Sequence, residues 1–218
     1  MPEHLEINDD IAVLNLGDDE NRFSPEWLET VNGLLDRVEA EAKALVTTGD
    51  GKFYSNGLDL DWLGAHSDRG DWYVGQVQQL LARVLVAPVP TVAAVNGHAF
   101  GAGSMLAIAH DFRVMRVDRG FYCFPEVDIR IPFSDGMAAL IQAKLTPAAA
   151  VEAMTTGRRY GGADAEAIGL VMATASEDKV TSTAVDLVAP LKGKDPGTLQ
   201  AIKSTMFRGA VAALRGKA

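Results

Sequence analysis

Cysteine is almost missing from these 218 residues. Cys123 stands alone, so no internal disulfide and no cysteine cage for a metal can form. Long apolar runs are missing too, and none reaches the roughly 18 residues that a membrane-spanning helix takes. Positive charge is in deficit: 20 Lys and Arg face 29 Asp and Glu, for a net charge of −9 with histidine neutral. That balance speaks against nucleic acid as a partner, because no basic excess exists to neutralise phosphates. A phosphorylated small molecule needs only a few local cations and stays open. The first residues, MPEHLEINDD, are polar and acidic and do not resemble a signal peptide. The last three, GKA, match no retention or peroxisomal address. The expected setting is a reducing cytoplasm, with no membrane association.

What is present suits a globular α/β protein. Hydrophobic residues make up 48% and charged residues 22%, enough to bury a large core without disulfides. HLEINDDIAVLNLG reads as two short strands joined at Asn8-Asp9-Asp10. Ser24 before Pro25 marks a helix start, and Trp27, Val31, Leu34, Leu35 and Val38 follow at helical spacing. KALVTTGDG is a buried strand ending in a turn, and a second amphipathic helix runs from Trp72 to Leu85. TVAAVN, MLAIAHDF and DFRVMR then alternate strand, helix and strand, which implies parallel pairing with right-handed crossovers. From Thr146 the pattern is mostly helical, with helix starts at Thr146-Pro147 and Asp195-Pro196. The expected division is a core over residues 1–194 and a C-terminal helix over 195–218, packed on the core or on a neighbouring subunit.

Two glycine-bearing loops follow strands. NGHAFGAGS lacks both the dinucleotide spacing and the phosphate-loop lysine. It leaves small residues at Gly101, Ala102 and Gly103 just before a helix, where N–H groups are free. GKFYSNGLDL offers a glycine beside a polar turn in the same way. One N–H from each loop, aimed at one oxygen, is the usual requirement for stabilising an enolate or a tetrahedral intermediate.

FYSNGLDL, AVNGHAFGAGSMLAIAHDFRV, FPEVDIRIP and TGRRYGGADAEAIGLV, in this order and spacing, resemble the crotonase or enoyl-CoA hydratase/isomerase superfamily from about Ile7 to Leu170. The resemblance implies a spiral of ββα units with C-terminal helices that mediate assembly into trimers or hexamers. It implies acyl-coenzyme A thioesters as substrates, coenzyme A being part of the substrate and not a separate cofactor, and no metal. The oxyanion N–H groups then fall on Leu58 and Ala102, beside Gly57 and Gly101. Phe53, Ser55 and Asn56 border the adenine, and Asp59 and Leu60 continue that loop, Asp59 as a helix cap. Arg22, Lys203 and Arg208 are the basic residues placed to meet phosphate. The stretch from Trp62 to Gly75 is expected to line the acyl pocket.

Hydratases of this superfamily carry two glutamates. The first position is Met105 here, and the second is Glu126. One base beside an oxyanion site suits proton shuttling better than hydration, since methionine cannot hold a catalytic water. The resemblance is therefore to Δ3,Δ2-enoyl-CoA isomerases, with Met105 keeping the pocket dry. Another reaction on the same site, hydration or thioester hydrolysis, and a non-catalytic acyl-CoA-binding trimer are the alternatives. Asp128 shares a face with Glu126 if the segment is a strand. His98, His110 and Ser104 are expected to be packed rather than catalytic.

Overall fold

The computed structural model describes residues 1–216. Lys217 and Ala218, the end of the expected 195–218 segment and most of the GKA terminus, lie outside them. β1 (His4–Asn8) and β2 (Ile11–Asn15) form an antiparallel hairpin in which Asn8 faces Ile11. Asp9 and Asp10 turn it at φ 49° and 63°, the left-handed pair that a two-residue turn of this kind requires. α1 (Pro25–Glu41) starts where the Ser24 hydroxyl accepts the Trp27 N–H at 3.1 Å. It buries Trp27, Leu28, Val31, Leu35 and Val38 as one stripe.

A strand, a second strand and a helix then follow one another three times. β3 (Ala44–Thr48) and β4 (Phe53–Ser55) lead to α2 (Leu60–Ala65) and α3 (Gly70–Leu85). β5 (Thr91–Val95) and β6 (His98–Phe100) lead to α4 (Ala102–Ala109). β7 (Phe112–Arg116) and β8 (Tyr122–Cys123) lead to the single helical turn α5 (Glu126–Ile129). The helices α6 (Asp135–Lys144), α7 (Pro147–Thr156) and α8 (Gly162–Ala167) come next, then β9 (Ala173–Ala175) and α9 (Val180–Val188). The first strand of each turn joins a large sheet ordered β1-β2-β3-β5-β7-β9, and the second joins a small sheet ordered β4-β6-β8. Beyond the hairpin the strands of both sheets pair in parallel. This is a crotonase-like spiral of ββα units.

The sheet order decides what meets what. β4, β6 and β8 are parallel neighbours, so the segments leaving their C-terminal ends emerge side by side. Those segments are the two glycine loops and the Pro125-Glu126 turn. β5 reads as a continuous apolar run because both its faces are covered: Ala93 and Val95 face the main core with α4, while Val92 and Ala94 meet Val180, Ala184 and Val188 of α9.

Two local expectations change. The segment after Pro125 is helical, not a strand, so Asp128 does not share a strand face with Glu126, although both border the same cavity. The tail is two helices, α10 (Pro196–Met206) and α11 (Arg208–Leu214), broken at Phe207. α11 packs against α6 and α3 of the same chain and buries Ala210 and Leu214. Among the described residues no helix is long and apolar enough to cross a membrane, and no group of three or more His, Cys, Asp or Glu is placed to hold a metal ion.

Candidate active site

A cavity of about 390 Å³ opens where the three segments converge, and its walls include Arg22, Asn56, Leu58, Leu60, Phe100, Gly101, Ala102, Glu126 and Arg159. Local chemistry shapes each wall. The Ser55 hydroxyl donates to the Asn21 carbonyl at 2.7 Å and accepts the Gly57 N–H at 3.0 Å. That turns the chain at Gly57, whose φ is +78°. A Cβ on Gly57 would stand 2.8 Å from the Ala102 nitrogen and 2.7 Å from the Phe100 carbonyl oxygen. The two glycine loops therefore touch at a residue that has no side chain to keep them apart. Gly103 sits as tightly on the Ser55 carbonyl. Among the described residues, neither the Leu58 N–H nor the Ala102 N–H has an acceptor, and both residues line the cavity.

Glu126 completes the arrangement. A Cβ on Gly101, which has φ +53°, would lie 3.5 Å from the Glu126 Oε1, so the carboxyl lies over the backbone next to Ala102. Glu126 is 8% exposed, its Oε2 has no hydrogen-bond partner, and it makes no ion pair with Arg130. Burial in this apolar corner pushes its pKa up to about 7. A carboxyl poised near neutrality beside two free N–H groups can take and return a proton.

Other expected site residues fall elsewhere. Met105 is buried in the core and is not part of the cavity wall; its N–H donates to the Gly101 carbonyl at 3.0 Å, inside the first turn of α4. It acts on the cavity only through packing. Phe53 is not part of the cavity wall, and its ring lies 5.4 Å from that of His98. Asp59 caps α2 by accepting the Trp62 N–H at 3.0 Å. Arg22 is engaged by Glu20 and, at 2.7 Å, by Asp61.

Lys203 is a correction. It is 4% exposed, donates to the Val89 carbonyl at 2.9 Å and pairs with Asp111 at 2.6 Å. These partners precede β5 and follow α4, at the end of the fold away from the glycine loops, so Lys203 ties down α10 and is not available to phosphate. The Trp62–Gly75 stretch is likewise not cavity wall: Trp62 stacks on His66 and meets Trp72 and Tyr73. His110 is fully buried between Thr47 and the Leu106 carbonyl, and Ser104 donates to the Ala99 and Cys123 carbonyls. Arg159, Ile129 and Ile131 were not singled out from the sequence, although the TGRRY and EVDIRIP motifs contain them; nothing in those motifs tells which of two adjacent arginines is free.

Residues 6–216 match the family described as Enoyl-CoA hydratase/isomerase. The chain belongs to this family. Within it, an Arabidopsis thaliana protein named Enoyl-CoA delta isomerase 2, peroxisomal, is 38% identical over 87% of this chain and 85% of its own length. A second, named Enoyl-CoA delta isomerase 1, peroxisomal, is 35% identical over 71% of this chain and 67% of its own. The crystal structure of a probable enoyl-CoA hydratase, EchA3, from Mycobacterium tuberculosis superposes with a TM-score of 0.92 at 26% identity, covering 100% of this chain and 93% of that one. Human mitochondrial Δ3-Δ2-enoyl-CoA isomerase shares the fold, with a TM-score of 0.90 at 22% identity over 100% of this chain and 87% of its own. The peroxisomal names of the two plant relatives overturn the cytoplasmic setting expected from composition and termini. Net charge and a lone cysteine report on chemistry inside the fold and carry no address.

Proposed function

We propose that this family member is an enoyl-CoA isomerase that moves a double bond from the 3,4 to the 2,3 position of an acyl-CoA thioester. The observation that carries the reading is the single buried carboxyl of Glu126, over Gly101 and beside the unpaired Leu58 and Ala102 N–H groups. The Glu126 carboxylate takes a proton from the carbon next to the thioester. The electron pair spreads over the diene and the thioester oxygen, and the Leu58 and Ala102 N–H groups donate to that oxygen. The Glu126 carboxylic acid then returns the proton two carbons further along, and the double bond shifts without gain or loss of atoms. By the resemblance, Met105 stands where hydratases carry their second glutamate, so this chain has no glutamate there for the addition of water, and the isomerase names of the plant relatives support the same choice. Coenzyme A enters as part of the substrate. In this reading the chain assembles as a trimer, which the exposed Ile202 and Met206 on α10 support as apolar surface awaiting cover.

Incubation with a 3-enoyl-CoA and, separately, a 2-enoyl-CoA tests the proposal. The 3-enoyl substrate is expected to give the 2-enoyl isomer, with little hydroxyacyl product from either. Glu126→Gln is expected to lower the isomerisation rate by about 10² to 10⁴ while retaining ligand binding. Hydroxyacyl-CoA as the main product would assign the chain to hydration instead.

A further inference from the structure

Arg158 and Arg159 are neighbours with opposite surroundings. Arg158 is bound by Glu152 at 2.6 Å and Asp164 at 3.2 Å. Arg159 has no carboxylate within 4.0 Å and no hydrogen-bond acceptor among the described residues. Its guanidinium lies 5.6 Å from the centroid of the Phe100 ring, and both residues line the cavity that holds Glu126 and Ala102. Its backbone is fixed: Tyr160 exchanges two hydrogen bonds of 2.9 Å with Tyr122 of β8, and the Tyr160 ring is fully buried. Arg159 thus stands at the β8 edge of the small sheet. At the β4 edge, Arg22 bridges to Gly57. Two arginines therefore flank the cavity from opposite sides, with the free N–H groups and Glu126 between them, and only Arg22 is neutralised by carboxylates of the protein.

We propose that Arg159 binds an anionic oxygen group of the substrate, a phosphate or a carboxylate, on the side of the cavity opposite Arg22. The inference rests on the thioester reading above and adds a recognition residue to it. The guanidinium lies over the Phe100 ring, and with no carboxylate or carbonyl partner its N–H groups are free for a two-pronged contact with an oxyanion. In a chain of net charge −9, a guanidinium without a carboxylate partner at the mouth of a cavity is matched to charge brought by the ligand. That charge has two sources on an acyl-CoA: the phosphates of coenzyme A, and a carboxylate at the far end of the acyl chain.

Calorimetric titration of the parent, Arg159→Ala and Arg159→Lys with hexanoyl-CoA, hexanoyl-pantetheine and adipoyl-CoA separates these. Binding, not turnover, is read, so the result does not depend on which reaction the family member catalyses. Arg159→Ala is expected to weaken at least one anionic ligand about 10-fold, as loss of a charge-assisted contact does, with Arg159→Lys between parent and Ala. Equal losses for hexanoyl-CoA and adipoyl-CoA, with hexanoyl-pantetheine unchanged, assign the contact to phosphate. A loss confined to adipoyl-CoA assigns it to the acyl carboxylate. Unchanged affinities, or one equal loss across all three ligands, overturn the proposal while leaving the thioester reading in place. A parent that binds none of the three overturns both.

Discussion

Glu126 is held in a state that its sequence neighbours do not impose. The cause is desolvation: the carboxyl is buried, one oxygen has no partner, and no cation lies within ion-pair distance. In the proposed reaction the base form is the active one, so kcat/KM is expected to rise about tenfold per pH unit below neutrality and to level off above about 7. A profile flat from pH 5 to 8 would remove Glu126 from the role of base. The same shift has a cost for folding. The side chain ionises near 4.5 in the unfolded chain and near 7 in the folded one, so the penalty of the buried charge appears above the lower value and is complete above the higher. Glu126→Gln should therefore raise the melting temperature at pH 8, by a stabilisation of at most about 3 kcal/mol, and change little at pH 4. Met105 teaches a different lesson at this scale. Its place behind the cavity wall, inside the core, was not legible in the chain, because a residue's depth depends on the helix as it docks.

At the scale of elements, the sites of contact are glycines with distinct tasks. Gly57→Ala forces a side chain into a left-handed backbone, and its Cβ would sit on the Ala102 nitrogen. The variant is expected to lose about 10² or more in rate, comparable to the loss of one oxyanion donor. Gly64→Ala is the control: Gly64 lies inside α2 with nothing near its missing Cβ, so that variant should fold at least as well and keep its rate. Equal effects of the two would dissolve the assignment of Gly57. Much of this level was readable from sequence alone. The hairpin at Asp9-Asp10, the Ser24-Pro25 helix start and the continuous apolar β5 each follow from local chemistry. The α5 turn was not readable, since four residues carry no periodicity and Glu126-Val127-Asp128-Ile129 alternates like a strand.

For the whole molecule, the tail decides more than its polarity suggests. Lys203 looks like a helix-surface cation in the chain, but docking of α10 and α11 brings it onto Asp111 and the Val89 carbonyl. Such a pairing joins residues 92 positions apart and has no local signal. Lys203→Met would strand the Asp111 carboxylate, already committed to the Thr91 N–H and hydroxyl. We expect a loss of about 3 kcal/mol, read as a lower melting temperature, with substrate KM unchanged. A raised KM at unchanged stability would return Lys203 to the substrate side. Such an outcome would also undo the division of labour between the two ends of β5, one built for ties and the other for ligands. β5 and α4 are buried along their whole length, and backbone of this kind opens least often in a folded domain. The Leu58 and Ala102 amides border that interior without an acceptor of their own. The most sheltered part of the chain thus has at its rim two hydrogens that water can exchange, until a carbonyl oxygen settles over them and closes the last gap in its shelter.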